Sequence, residues 1–236
     1  MRLDKYLTKN NLVSSRNKAQ ELIQNNSVYI NDICINKNNH DVKEDDIVEV
    51  KDSLEFVSRS GHKLKQALTE FDISVADAIC LDIGSSTGGF TDCLLQNNAK
   101  LVYAVDVGKD QLDQGLKQNP KVISVEDTDI RDFLKEFKSD FDFICVDVSF
   151  ISLKYILPSI QNRFLSDLVL LYKPEFEVGK ENLKHGIVKS EKITTQYLKD
   201  FEKFVDFLKL KVVKIIKSNT IGKHGNQEYL IHIRKS

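Results

Sequence analysis

From residue 79 onward, short apolar runs alternate with segments of helical period. Ile79 to Ile83, Leu101 to Val107, Val122 to Val125, Phe141 to Asp147 and Leu168 to Tyr172 read as five strands. Val212 to Ile216 and Tyr229 to Ile233 read as two more. Phe90 to Leu95, Lys109 to Gln118 and Thr194 to Leu208 read as helices, the second stopped before Pro120. Strands apolar along their whole length, separated by helices, call for a mostly parallel sheet covered on both faces. Such a sheet binds its ligand beyond the carboxyl ends of its strands. An antiparallel last strand would bring its start, at Glu228, to that same edge.

All 10 glycines fall at or after Gly61. That shift in composition divides the chain into a first unit over 1–50, a linker over 51–57 and a second unit over 58–236. In the first unit, Leu3, Tyr6 and Leu7 have helical spacing. Ser14 or Ser15 suits the N-cap of a second helix whose apolar side is Ala19, Leu22 and Ile23. Val28 to Ile30 and Ile33 to Ile35 flank Asn31-Asp32, a pair suited to a tight hairpin turn. Asp46 to Val50 reads as a closing strand.

The net charge of -1 conceals two basic zones. Residues 1–24 carry Arg2, Lys5, Lys9, Arg16 and Lys18 against Asp4 and Glu21. Residues 170–236 carry 14 Lys+Arg against 8 Asp+Glu. Local patches of this kind attract a polyanion even on a neutral chain. No window approaches the roughly 18 apolar residues of a membrane helix. The charged start MRLDKYLTKNNL is no secretory leader. Cys34, Cys80, Cys93 and Cys145 form no CxxC, and His62, His185 and His224 lack metal spacing, so no metal is expected. Scattered cysteines without a leader fit the cytoplasm.

The chemistry-bearing residues stand at strand ends. Leu81 to Thr91 reads LDIGSSTGGFT, a D-x-G-x-x-x-G-G turn rather than G-x-G-x-x-G. Its glycines let backbone approach a ligand closely. A carboxylate at the strand end suits a cationic or hydroxyl-bearing ligand better than a pyrophosphate. The choice therefore tilts from a dinucleotide toward S-adenosylmethionine (SAM). Asp106 ends the next strand, where a carboxylate can accept both ribose hydroxyls of a nucleoside. Asp129 follows the third strand, within reach of an adenine amino group. The cofactor-binding set is Asp82, Gly84, Ser85, Ser86, Thr87, Gly88, Gly89, Phe90, Asp106, Val107, Asp129 and Asp147. Lys173 directly follows an apolar strand and is locked by Pro174, a poor setting for a merely solvated charge.

Arg2-Leu3-Asp4-x-x-Leu7, Ser15-Arg16-x-x-Ala19-x-x-Leu22-Ile23 and Val28-x-Ile30-Asn31 resemble the S4 RNA-binding domain. The resemblance implies a small α+β module presenting Arg2, Lys5, Arg16 and Lys18 to RNA phosphates, contacts that give placement more than sequence readout. Arg59 and Lys180 join the RNA-binding set; Lys184, Lys189 and Lys192 lie near Lys180.

Lys63, Asp147, Lys173 and Glu228 resemble the Lys-Asp-Lys-Glu tetrad of FtsJ-like ribose 2′-O-methyltransferases. The runs VSRSGHKL, LDIGSSTGGFT, AVDVG, VDVSFISL, KPEFEVGK and NQEYL resemble the TlyA (hemolysin A) family within them. One departure is Ser58-Arg59-Ser60-Gly61-His62-Lys63, where relatives more often read S-R-G-A-x-K; the lysine register is kept. The resemblance implies an α/β, Rossmann-like class I SAM-dependent methyltransferase behind the S4 module. It implies ribosomal RNA as substrate, cytidine as nucleoside and, from the compact termini, the shorter form acting on the large subunit, with the longer form acting on both subunits as the alternative. A cytoplasmic monomer is expected.

Methyl transfer needs mainly in-line alignment, since a sulfonium methyl is already electrophilic. A ribose hydroxyl is a weak acid, and Lys173 is the residue to orient or deprotonate it. A neighbouring cation and desolvation favour an uncharged lysine, while Asp147 and Glu228 oppose it. The sequence leaves base and positioner both open. Against enzymatic activity stands a non-catalytic RNA-binding or assembly factor, disfavoured by the intact loop and both lysines. A membrane-active hemolysin has no leader, transmembrane stretch or strongly basic amphipathic helix behind it. A nicotinamide oxidoreductase fits neither the loop spacing nor the S4-like module.

Overall fold

The computed structural model describes all residues except 14, 25–26, 51–54 and 223–224; of Glu21 and Gln24 only the backbone is described. The alternative N-cap Ser14, the first part of the expected linker and His224 lie outside the described residues. The chain divides into two units, Met1–Arg59 and Ser60–Ser236.

In the N-terminal unit, α1 (Leu3–Lys9) and α2 (Arg16–Gln24) precede β1 (Val28–Ile30), β2 (Ile33–Cys34) and β3 (Val48–Val50). The strands form an antiparallel sheet with β1 in the centre. Leu3, Leu7, Ala19, Leu22 and Ile23 are buried together with Val28 and Ile30, as their spacing requires. The Lys18 amide donates to Ser15 Oγ at 3.2 Å, the cap that starts α2. Asn31 and Asp32, at φ 50° and 63°, make the two-residue turn between β1 and β2. Consecutive left-handed residues match the twist of a hairpin, and Asn and Asp tolerate them. The closing strand begins at Val48 rather than Asp46, because Asp46 accepts the Lys43 amide at 2.9 Å in the preceding turn.

The C-terminal unit contains α3 (Ser60–Glu70), β4 (Ile79–Ile83), α4 (Gly89–Gln96), β5 (Leu101–Val105), α5 (Gln114–Lys117), β6 (Val122–Val125) and α6 (Ile130–Glu136). It continues with β7 (Phe141–Val146), α7 (Leu157–Ile160), β8 (Phe164–Tyr172), α8 (Pro174–Glu177), β9 (Leu183–Lys184), β10 (Ile187–Val188), α9 (Glu191–Phe207), β11 (Leu210–Lys217) and β12 (Tyr229–Lys235). Seven strands form one sheet in the order β11-β12-β8-β7-β4-β5-β6. From β8 to β6 the pairing is parallel; β12 runs antiparallel between β8 and β11. This is the mostly parallel sheet that the apolar runs imply, and its last strand is antiparallel. Leu81, Ile144, Leu170 and Ile231, from four neighbouring strands, share a core cluster with Leu157 of α7 and Phe201 of α9. Every residue of β8 from Asp167 to Tyr172 is buried, and the strand is exposed at Leu165 and Ser166 near its start.

Several elements differ from the sequence reading, among them the short helices α7 and α8, which it did not contain. The expected helix over 109–118 is reduced to Gln114–Lys117. Glu126 accepts the Gln111 and Leu112 amides at 2.6 and 3.0 Å, holding that stretch as a loop. Asp113 then caps α5 through the Gly115 amide at 2.8 Å. The helix α6 and the β9–β10 hairpin carry periods too short to be seen in the sequence.

Candidate active site

The chain proceeds from β4 outward to β5 and β6, then returns to β7 on the other side of β4. Loops leaving β4 and β7 therefore diverge and open a crevice, the usual ligand position of an open α/β sheet. A cleft of about 410 Å³ lies there. Gly84, Ser86, Asp106, Val107, Asp129 and Asp147 of the expected cofactor set line it, with Gly108, Ile130, Ser149, Phe150 and Ile151.

Asp106 joins the two loops of the cleft. Its Oδ2 accepts the Ser86 amide at 2.8 Å and its Oδ1 the Gly108 amide at 2.7 Å. Each carboxylate oxygen retains a further acceptor site, enough for a vicinal diol. Asp129 caps α6 through the Arg131 amide at 2.8 Å and pairs with the Arg131 guanidinium. The Arg131 hydrogen bond outweighs burial and lowers the Asp129 carboxyl to about 2.

Asp82, Ser85, Thr87, Gly88, Gly89 and Phe90 do not line the cleft. Asp82 is fully buried and accepts Thr91 Oγ1 at 2.7 Å, tying β4 to the first turn of α4. Burial pushes its carboxyl up to about 7, against the Thr91 hydrogen bond. Phe90 is core, and Gly88, at φ 97°, is the N-cap of α4. Ser85 Oγ is buried and unpartnered among the described residues.

The tetrad residues all reach this sheet edge. Lys63 stands in the first turn of α3, Asp147 directly after β7, Lys173 directly after β8 and Glu228 directly before β12. Tyr229 pairs with Tyr172 across the antiparallel ladder, so Glu228 and Lys173 continue the same register. Lys173 Nζ lies 2.5 Å from Asp147 Oδ1 and donates to Ser149 Oγ at 2.9 Å. Lys63 Nζ donates to Glu228 Oε2 at 2.5 Å. Burial pushes the Glu228 carboxyl up; Lys63 and Lys173 oppose that rise and Asp147 adds to it. Two lysines and two carboxylates thus pair at this sheet edge; of the four, Asp147 lines the cleft, and Lys63, Lys173 and Glu228 do not.

Two features escaped the sequence reading. Phe150 lines the cleft at φ 66° and is 88% exposed. A bulky residue held left-handed at a cleft is a mark of functional strain. In the N-terminal unit, Arg2 and Arg16 both bond the buried Asp4, at 3.1 and 3.0 Å from Arg2 and 2.9 Å from Arg16. Burial works to raise the Asp4 carboxyl, yet hydrogen bonds from Arg2, Gln20 and Arg16 hold it well below the usual range. Both arginines stay half-exposed beside the exposed Lys5. Lys18 and Arg59 are half-buried, and Lys180 is exposed. Among the described residues no His, Cys, Asp and Glu group is arranged to hold a metal, and no helix is long and apolar enough to cross a membrane.

The sheet order, with a carboxylate-lined cleft at its switch point, is that of a Rossmann-like methyltransferase. The family model for FtsJ-like methyltransferase matches residues 56–235, and that for S4 domain matches residues 1–48. Hemolysin A of Brachyspira hyodysenteriae is 41% identical, over 98% of this chain and 99% of the relative. The 23S rRNA (cytidine-2′-O)-methyltransferase TlyA of Campylobacter jejuni is 40% identical, over 100% of both chains. A solved structure of a hemolysin-named protein from Streptococcus thermophilus is 37% identical, with TM-score 0.79, over 100% of this chain and 88% of that one. The chain belongs to the FtsJ-like methyltransferases and, within them, to the TlyA (hemolysin A) family.

Proposed function

We propose that this chain transfers a methyl group from SAM to a ribose 2′-hydroxyl of ribosomal RNA, at a cytidine of the large subunit, acting as a monomer in the cytoplasm. The observation that carries the reading is the pairing of Lys173 with Asp147 and Lys63 with Glu228 beside a nucleoside-sized cleft.

The residues present fit SAM. Asp106 offers free acceptor sites for a ribose diol, and Val107, Ile130 and Ile151 offer apolar walls for a base. The cleft carries carboxylates rather than cations, which favours a sulfonium over a pyrophosphate. When bound, SAM supplies a methyl group already activated by positive sulfur. The chain's own residues then align the acceptor. Lys173 faces the 2′-hydroxyl and directs it in line; only in its uncharged form would it also take the proton. Asp147 and Glu228 hold the two lysines in place, and Phe150 offers an exposed ring on which the target base stacks.

The S4 unit supplies affinity through phosphates. Arg2→Ala with Arg16→Ala is expected to raise the KM for RNA about 10- to 100-fold and to reduce the salt slope of binding by about two. The rate at saturating RNA changes little. Filter binding across a salt series, beside steady-state kinetics, checks this; a fall in kcat at constant KM would contradict it.

The direct test is transfer of labelled methyl from SAM to purified large and small subunits lacking the modification, with nuclease mapping of the labelled ribose. Label on a 2′-oxygen of large-subunit RNA is expected. Label only on the small subunit would overturn the substrate assignment. SAM binding without label on either subunit would move the substrate to naked RNA or an assembly intermediate. Neither binding nor label would favour a non-catalytic RNA-binding factor.

A further inference from the structure

The loop after β7 and the short helix after β8 are fastened together along their length. Beyond the Asp147–Lys173 pair and the Ser149–Lys173 hydrogen bond, the Phe150 and Phe176 rings lie 5.2 Å apart. Ser152 Oγ donates to Glu177 Oε2 at 2.6 Å, and the Leu153 amide donates to Glu177 Oε1 at 2.8 Å. Both oxygens of Glu177 are therefore committed to this loop. Lys173 is the N-cap of α8, a helix of only 4 residues that ends at Glu177. A single helical turn has little stability of its own, so outside contacts must set its position.

Two acceptors hold Lys173 Nζ: Asp147 Oδ1 at 2.5 Å, a charge pair, and Ser149 Oγ at 2.9 Å, a hydrogen bond. One contact alone leaves an ammonium free to swing about it; a second, directional one fixes where Nζ points. Lysine has a long flexible stem, and a catalytic amine must keep its remaining valence aimed at the substrate. Ser149 also lines the cleft, so its hydroxyl stands between the cofactor space and the lysine.

We infer that Ser149 and Glu177 are positioning residues for Lys173: the Ser149 hydroxyl sets the direction of Nζ, and Glu177 fixes the one-turn helix that carries the lysine. Phe150, on the same loop and against the same helix, is set by the same fastening. The inference rests on Lys173 being the residue that faces the ribose hydroxyl.

The test uses full-length variants, labelled SAM and unmodified large subunits, with kcat and both KM values measured beside thermal melting. Ser149→Ala is expected to lower kcat about tenfold, with both KM values within about twofold of the parent. Ser149→Thr, which keeps the hydroxyl, recovers most of the rate. Glu177→Ala lowers kcat by a similar factor. Glu177→Gln, which keeps an acceptor for the Leu153 amide, falls between. Should Glu177→Ala fail to fold, Glu177→Gln and Ser152→Ala carry the same comparison. A raised KM for SAM with unchanged kcat in Ser149→Ala would make Ser149 a cofactor ligand and overturn the inference. Lys173→Ala runs alongside. If it retains full activity, the reading of Lys173 itself fails. If it is inactive while Ser149→Ala and Glu177→Ala work at parental rate, only the positioning roles fail.

Discussion

Lys173→Ala is expected to lower methyl transfer by about a thousandfold while leaving SAM affinity within about threefold. A positioned proton-transfer group contributes roughly 10²–10⁴ in rate, and Lys173 supplies orientation as well. Its side chain is 11% exposed and that of its partner Asp147 14%, so the pair is largely removed from water but open to the cleft. Asp147 left alone can recruit water through that opening, so the loss of stability stays well below the 3–5 kcal/mol of a fully buried broken pair. Lys63 and Glu228 retain each other. SAM affinity is expected to be spared because Asp106, Val107 and Ile130, and not Lys173, line the cleft proposed for the nucleoside. Lys173→Arg separates the two roles left open for this residue. Arginine keeps the positive charge and N–H donors, in a planar fork, but does not give up its proton. An inactive Lys173→Arg with parental RNA and SAM affinity identifies a base; substantial residual activity identifies a positioner. Single-turnover transfer to unmodified large subunits, with calorimetry for SAM, provides the readings. Parental turnover by Lys173→Ala would remove the lysine from the mechanism.

What could be read from the sequence follows from where signals are local. Strand ends are local: an apolar run that stops at a charge marks Asp147 and Lys173 without any knowledge of neighbours. The direction of β12 was not local: an antiparallel last strand would place Glu228 on the edge where the parallel strands end, and the pairing of β12 with β8 is antiparallel. Side-chain parity is not local in a sheet buried on both faces, since apolar residues occupy every position and no alternation tells inward from outward. That is why Asp82, expected at the cofactor, instead lies under α4 bonded to Thr91. Long-range hydrogen bonding was also invisible. Glu126 captures amides 14 and 15 residues earlier and so dissolves most of a helix that the apolar period supported. Asp4 gathers Arg2 and Arg16 from two different helical starts, a grouping that depends on how α1 and α2 pack. The same holds for Glu177, whose sequence context KPEFEVGK gives no hint that Ser152 and Leu153 are its partners.

Gly84→Ala is expected to abolish measurable SAM binding and to lower the melting temperature of the catalytic unit by about 5–10 °C. Gly84 sits at φ 84°, a region costing an L-residue on the order of 1–2 kcal/mol. The added Cβ would also stand 2.5 Å from the Asp147 carbonyl oxygen and 2.9 Å from its carbon. Those are backbone atoms of the neighbouring loop, and they have nowhere to go. The Asp147 amide donates to the Ile83 carbonyl at 2.9 Å, and the Gly84 amide to the Val105 carbonyl at 2.9 Å. Relief therefore requires β4 and β7 to part at the switch point, at a total cost of about 2–3 kcal/mol. For a unit of this size each kcal/mol shifts melting by about 2–4 °C. Parting them displaces Asp147 from Lys173 and reshapes the cleft between Ser86, Asp106 and Ser149, so cofactor affinity falls by at least about a hundredfold. Gly88→Ala is the informative contrast. It carries the same backbone penalty at φ 97°, but its Cβ would meet the Leu112 and Leu116 side-chain ends, which can turn aside, and Gly88 does not line the cleft. It should therefore melt lower yet bind SAM nearly as well as the parent. Calorimetric titration and melting of both variants decide the matter. Equal loss of SAM affinity in the two would mean that helix α4, rather than the β4–β7 crevice, governs the cofactor; parental affinity in Gly84→Ala would move the cofactor out of this cleft altogether.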